Sequence, residues 1–339
     1  MVVRGEGKSN KDYWAERERE LKHIQDEMLT DNQYKKALND LYRTAQEEIE
    51  KDIARDIAGF ARRDNLSMAE ARKVVSKTDV ESYSSRAKKY VEQAKAMRQA
   101  DPNKVVRFSD FSDKANRELR RYNITMRSNR LELLEAKINL NTVLLANEEE
   151  GMLQEHLAER AIKEYTRQAG ILGMTVPDQD TLARMAKAVV EAEFRNTIFS
   201  ERIWENQREL QNELETVIRR TIIRGENPRV AARQITGAVD DNMGTAKYKA
   251  ERIAITESSR VQSEIQHKSF EEFGITQFEL VAEPTACDIC EKVADNGPYL
   301  VSEMEAGTNA APLHPSCRCS VVSYVDRNAW DADLRSRNL

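Results

Sequence analysis

The chain contains few of the residues that interrupt helices. Of its 339 residues only 12 are glycine and 7 are proline, and aromatic residues make up 6%. Charged residues make up 33%, and Ala, Glu, Arg, Lys, Leu and Gln are frequent. This composition leaves few breaks in the chain and is typical of long helices with solvated faces.

Several signals of location and partner are also missing. No run of about 18 apolar residues occurs, so no membrane span is predicted. The first residues, MVVRGEGKSNKDYW, lack the apolar core of a secretory signal peptide. The net charge of −5 implies no general attraction to nucleic acid. We therefore expect a protein of a reducing, cytosolic setting that has no membrane partner.

Cysteine is absent everywhere except between Cys287 and Cys319, where all four cysteines occur. The motif CDIC is followed by a 23-residue insert, 291–313, and then by HPSCRC. Two pairs of soft ligands at short spacing are typical of a tetrahedral structural zinc site. The candidate ligands are Cys287, Cys290, His314, Cys317 and Cys319. We predict that the first three bind Zn²⁺ together with one of the last two, and Cys317 is slightly favoured.

The four cysteines have possible roles other than binding zinc. Two disulfides or free thiols are alternatives, but no secretory signal supports disulfides. A thioredoxin-type redox pair should begin a helix after a strand in a βαβ unit. Here Pro284 and Thr285 precede CDIC, which is instead expected at the tip of a tight turn, and Gly297-Pro298 follow it. A catalytic zinc would usually carry an HExxH or HxE pattern, and neither is present.

The apolar spacing predicts a mainly α fold with a small C-terminal α+β domain, clipped by zinc, and a long helical N-terminal region. The predicted domains are a helical arm or bundle over 1–198, a second domain over 199–326 and a tail over 327–339. The predicted helices of the arm cover about 12–62 with a break at Thr30–Asn32, 67–76, 79–100, 109–170 with an interruption near Gly151, and 177–196. His23 and His156 are expected to be surface histidines, since no second ligand lies at helical spacing from either.

The C-terminal domain is predicted to begin with helices over about 200–225, 228–239 and 245–273. The spacing then changes to an alternation in QFELVA and SVVSYV, which predicts two strands. These strands flank the cysteine-rich segment and are expected to pair.

Residues from about 199 to 325 resemble the phage head morphogenesis proteins, which are minor head or minor capsid proteins similar to protein F of phage Mu. The resemblance lies in RIAITES, Gly274-Ile275, FELVA, CDIC, the VSEMEAG loop and PLHPSCRC. The family usually has Arg before its Thr-Glu pair, whereas this chain has Ile255. Glu257 is retained, and Arg252 is a candidate partner for it.

The resemblance implies a structural role without enzymatic activity. Such proteins are present in a few copies inside the prohead near the portal, where they aid head assembly and DNA packaging or delivery. The implied partners are the portal protein and the scaffold or major capsid protein. The implied location is the capsid interior of the virion, with the host cytoplasm during assembly.

Double-stranded DNA is a second candidate partner. Between residues 216 and 252, eight basic residues stand against four acidic ones, which gives a local net charge of +4. The basic residues are Arg219, Arg220, Arg224, Arg229, Arg233, Lys247, Lys249 and Arg252.

An enzymatic alternative is a zinc hydrolase or nuclease that uses Glu257 and His267, or an ADP-ribosyltransferase. Glu257 and His267 are ten positions apart on one predicted helix, about 15 Å along its axis, which is too far for a direct acid–base pair. No catalytic residue is therefore predicted. Glu257 is interpreted as an ion-pair partner that fastens its helix to the metal loop.

Overall fold

The computed structural model describes residues 10–61, 130–223 and 228–324. Within these ranges the protein is mainly helical, with a small region of strands near its C-terminal end. The helices are α1 (Asn10–Ala61), α2 (Arg130–Leu172), α3 (Gln179–Val190), α4 (Phe199–Ile223), α5 (Pro228–Glu272) and α6 (Asp288–Asp295). The strands are β1 (Gln277–Val281), β2 (Tyr299–Leu300) and β3 (Ser320–Tyr324).

The long helices are more continuous than predicted. α1 passes through Thr30–Asn32 and α2 passes through Gly151 without a break, so both predicted interruptions are wrong. α5 is also one helix of 45 residues, where two helices were predicted. It begins at Pro228, and proline suits the first helical position because the N–H that it lacks has no partner there. The predictions for residues 62–129 and 327–339 lie outside the described residues.

α3 ends about six residues earlier than predicted. Its N-cap is Asp178, whose carboxylate accepts a hydrogen bond of 2.9 Å from the backbone N–H of Thr181. After Val190 the chain turns through Arg195 and Asn196, both of which have positive φ. A left-handed backbone cannot continue a right-handed helix, so the segment up to Asn196 is a turn.

The chain forms two compact units. The first consists of Met1–Ala37, Met152–Arg202 and Ala250–Leu339, and the second of Leu38–Gly151 and Ile203–Lys249. The division into domains at residues 198 and 326, which is based on changes in the residue pattern along the chain, stays a prediction.

The second unit has a polar cluster inside its helical core. Glu149 on α2 is 1% exposed and accepts hydrogen bonds from the Tyr42 hydroxyl at 2.8 Å and from the Gln207 amide at 2.9 Å. Both donors are uncharged. Burial therefore raises the pKa of Glu149 to about 7.

The first unit contains the small sheet, in the order β2-β1-β3, and all its pairs are antiparallel. In the β1–β3 pair Gln277 lies opposite Tyr324 and Val281 opposite Ser320, so the predicted pairing of the two flanking strands is confirmed. β2 and α6 lie between them in sequence and were not predicted. Strand residues pack with residues of α5, α6 and the connecting segments in one apolar core. Its members are Phe270, Phe278, Leu280, Cys290, Val301, Met304, Ala310, Ala311, Leu313, Cys317, Cys319 and Val321.

Candidate metal centre

The first pair of candidate ligands lies at the start of helix α6. Cys287 is the N-cap residue and Cys290 lies in the first turn. Asp288 and Glu291 also lie in the first turn and Lys292 lies in the last, which suits the direction of the helix dipole. The expected tight turn at CDIC is therefore wrong, because the motif begins a helix after strand β1.

The second group of candidate ligands lies directly before β3. The backbone N–H of Cys317 donates to the carbonyl of His314 at 3.1 Å, which closes a turn and brings both side chains toward α6. Cys319 follows at the start of the strand region. Cys290, Cys317 and Cys319 are 1%, 0% and 3% exposed, whereas Cys287 is exposed.

The structure brings all five predicted donors together. The sulfur of Cys290 lies 3.8 Å from that of Cys287, 3.8 Å from that of Cys317 and 3.3 Å from Nε2 of His314. Two thiolates at corners of a zinc tetrahedron with Zn–S bonds of about 2.3 Å lie about 3.8 Å apart, and a thiolate and an imidazole nitrogen about 3.6 Å apart. The distances from Cys290 to these three donors are therefore close to those expected within one zinc site.

The imidazole of His314 is oriented for metal binding. Its Nδ1 lies 2.9 Å from the carbonyl oxygen of Pro315, and because a carbonyl only accepts, Nδ1 carries the proton. The lone pair is then on Nε2, the atom that faces Cys290. This second contact of the ring is the kind that fixes histidine ligands in metal sites.

The four thiols are not joined as disulfides. All four cysteines are free, and the sulfur separations of 3.8 Å greatly exceed a disulfide bond. Hydrogen bonds from Cys290 and Cys319 hold the pKa of Cys317 well below its ordinary value, while donation to Cys317 raises the pKa of both donors. The cluster thus stabilises a thiolate at Cys317, the form that binds metal.

The choice between Cys317 and Cys319 stays a prediction. The donors form two overlapping groups, and within each group all donor atoms lie within 4.8 Å of one another. One group is Cys287, Cys290 and His314, and the other is Cys290, Cys317 and Cys319. Cys290 belongs to both groups and is therefore the centre of the cluster. Cys317 and Cys319 each lie within 4.8 Å of Cys290, but neither belongs to the group that holds Cys287 and His314.

The segment that carries the ligands is bound to the helices of the same unit. Arg318, between Cys317 and Cys319, lies 3.5 Å from the Asp31 carboxylate of α1. Ser320 donates to Glu20 of α1 at 2.5 Å. Its hydroxyl also accepts hydrogen bonds of 2.8 and 2.9 Å from two α5 glutamines, Gln262 and Gln266.

Asp31 is a buried charge centre that sequence reasoning missed. Its carboxylate accepts a hydrogen bond of 2.8 Å from Arg160 and lies 3.7 Å from His156. Burial alone would raise the pKa of Asp31, but the nearby His156 and the charges of Arg160 and Arg318 lower it by more. Sequence reasoning missed this role because the short polar residues Thr30–Asn32 resemble a helix cap.

The two histidines expected at the surface are largely buried. The side chain of His23 is 16% exposed and lies 3.1 Å from Glu164. The side chain of His156 is 11% exposed and its ring lies 4.7 Å from that of Tyr34. The prediction of surface histidines is wrong, because both pair with buried carboxylates instead of solvent.

Glu257 is a buried ion-pair partner, as predicted, but it fastens a different part of the structure. It lies 2.9 Å from Arg202 and 2.6 Å from Arg260, which in turn donates to the carbonyls of Val189 and Val190. Glu257 thus ties α5 to the end of α3 and the start of α4. The neighbouring Thr256 makes the contact with the metal loop, by accepting a bond of 3.0 Å from the Ser316 N–H.

The basic residues do not form one cluster along their helices. Arg219 and Arg220 lie near the end of α4 and Arg229 and Arg233 near the start of α5, whereas Arg224 lies outside the described residues. Lys247 follows Arg233 by 14 positions, about 21 Å along α5. The remaining predicted residues are Lys249, which is paired with Glu209, and the exposed Arg252 of the other unit.

The candidate metal ligands lie in a region that matches a known protein family. Residues 212–322 match the family described as Phage Mu protein F like protein. The resemblance inferred from the motifs is therefore confirmed over this third of the chain, which includes every candidate metal ligand. Searches of curated proteins and of solved structures find no match. Among the described helices, none is long and apolar enough to cross a bilayer.

Proposed function

We propose that the protein is a structural minor head protein of a tailed phage. The observation that carries this proposal is the family match over residues 212–322, which points to phage head morphogenesis. In the proposed role it lies inside the prohead near the portal and aids head assembly and DNA packaging or delivery. The portal protein and the scaffold or major capsid protein are the proposed partners.

A structural zinc ion is the second part of the proposal. Cys287, Cys290, His314 and Cys317 would hold it. The bound ion would link helix α6 to the segment before β3 and would take part in no reaction. The donor spacing supports this, and so does the size of the sheet, since one of its three strands has only two residues. A sheet this small needs such a link, and zinc contributes on the order of 10 kcal/mol to the folding of small domains.

Metal analysis of the purified full-length chain tests the zinc site. We expect one zinc per chain in the wild type and in Cys319→Ser, and loss of zinc in Cys290→Ser and Cys317→Ser. Zinc that persists in Cys290→Ser would overturn the site, because this sulfur lies within 3.8 Å of three other donors.

Co-expression with the phage portal and scaffold proteins tests the role in the head. The chain should co-purify with proheads, and cross-linking should join it to the portal. If it is absent from both proheads and virions, the proposal fails even if zinc is bound.

Binding to double-stranded DNA inside the virion is the second candidate function. The exposed side chains of Arg220 and Arg233, which flank the connection between α4 and α5, favour it. The pairing of Lys249 with Glu209 reduces the charge available to phosphates. In a gel-shift assay, DNA binding should weaken steeply with salt and fall further in Arg220→Ala/Arg233→Ala. Absence of binding even at about 50 mM salt would exclude this function.

We also propose that the protein is not an enzyme. The one carboxylate weighed as a general base, Glu257, is 1% exposed and holds two arginines. A carboxylate that is buried between two arginines is shielded from a substrate in solvent. A zinc hydrolase or ADP-ribosyltransferase is the least supported alternative.

A further inference from the structure

The CDIC motif has the arrangement of a dithiol that can be oxidised. It follows strand β1 and begins helix α6, with Cys287 at the N-cap and Cys290 one turn later. The sheet around it is antiparallel, so the surroundings differ from a βαβ unit, but the local strand–helix arrangement of a redox pair is present.

We propose that Cys287 and Cys290 form a reversible disulfide whose formation releases the metal ion. The release of the metal ion rests on the proposed zinc site. The pairing of Cys287 with Cys290 rests only on the positions of the two thiols. The co-reactant is a small disulfide of the glutathione class.

Exposure distinguishes this pair from the other close sulfurs. Cys290 lies 3.8 Å from both Cys287 and Cys317, so distance alone does not select a partner. Cys287 is exposed, whereas Cys290 and Cys317 are 1% and 0% exposed. A reagent from solvent reaches Cys287 first, and the sulfur next to it is that of Cys290.

The reaction has two thiol–disulfide exchange steps. The Cys287 thiolate attacks one sulfur of oxidised glutathione, forms a mixed disulfide and expels a glutathione thiolate. The Cys290 thiolate then attacks the Cys287 sulfur and expels the second glutathione thiolate. The protein loses two electrons and the reagent gains them. The two sulfurs need to approach by about 1.8 Å to reach the bond length of about 2.05 Å.

The consequence for the metal follows from the number of donors. Oxidation removes two of five candidate ligands and leaves at most His314, Cys317 and Cys319. Structural zinc sites use four ligands, so the ion loses its closed site. Both lost ligands belong to α6, so the link between α6 and the segment before β3 is lost with them.

Treatment of the zinc-loaded, full-length chain with oxidised glutathione tests the proposal. Zinc release is followed with a chromophoric chelator, and disulfides are mapped by mass spectrometry after alkylation of the remaining thiols. We expect release of one zinc per chain together with a Cys287–Cys290 disulfide, and recovery after reduction and addition of zinc. The matched control, Ile289→Ala, changes an exposed side chain between the two cysteines and keeps every candidate donor, so it should behave in the same way.

A first disulfide that includes Cys317 or Cys319, or a stable glutathione adduct at Cys287 without zinc release, would overturn the proposal. A chain that contains no zinc when isolated would instead refute the metal site. In that case the disulfide mapping on the metal-free chain still decides the pairing, with Cys287–Cys290 supporting it and any other first disulfide refuting it.

Discussion

Replacement of Glu149 by glutamine should make the second unit more stable at neutral and alkaline pH. The folded protein raises the pKa of this buried carboxyl from 4.5 to about 7. Between these values the folded state binds more protons than the unfolded state, so the free energy of unfolding falls as the pH rises. A difference of about 2.5 pKa units at 1.36 kcal/mol per unit amounts to about 3 kcal/mol, all of it lost above about pH 7.

Glutamine at position 149 can still accept hydrogen bonds from Tyr42 and Gln207, but it carries no charge to bury. Glu149→Gln should therefore match the wild type near pH 4.5 and exceed it by about 3 kcal/mol near pH 8. Denaturant titrations followed by circular dichroism at both pH values measure the difference, and the exposed Glu47→Gln serves as the control. Equal pH dependence in the wild type and Glu149→Gln would refute the reasoning.

Two further predictions concern the first unit. Arg260→Ala leaves the buried Glu257 with one fewer cation and should lower the free energy of unfolding by about 3–5 kcal/mol. The control, Arg184→Ala, changes an exposed side chain and should have little effect. Thermal denaturation of both variants and the wild type measures the difference. The fragment 199–339 lacks Glu20, which accepts a hydrogen bond from the strand β3, and should unfold at a lower temperature and bind zinc more weakly than the full chain. Equal zinc affinity of fragment and full chain would show that the N-terminal helices do not support the metal site.

The clustering of the cysteines with His314 could be predicted from sequence because the spacing that produces it is local. Cys287 and Cys290 are separated by two residues, as are His314 and Cys317, and this spacing alone lets each pair face one ion. The pairing of β1 with β3 was also predictable, since apolar residues alternate in both strands. The helix at CDIC was missed, although Asp288 and Glu291 in its first turn were a readable signal.

Long-range polar contacts could not be predicted from sequence in the same way. The sequence around Asp31 looks like a helix start, because short polar residues commonly cap helices. Its actual role depends on Arg160 and Arg318, which are 129 and 287 positions away in the chain. Gly151 likewise suggested a break, but nothing lies within 4 Å of a side-chain position there, and the helix continues through it.

The segment that leads into β3 carries candidate metal ligands and also contacts the helix α1. Cys317 and Cys319 face the apolar core with Val321, whereas Arg318 and Ser320 contact Asp31 and Glu20 of α1. This is the alternation of side chains along extended backbone, so fixing one face of the segment also fixes the other. The proposed metal ion, bound to the cysteine face, would therefore also order the polar face that holds α1. The unmatched N-terminal helix is thus coupled, through this segment, to the region that carries the family motifs.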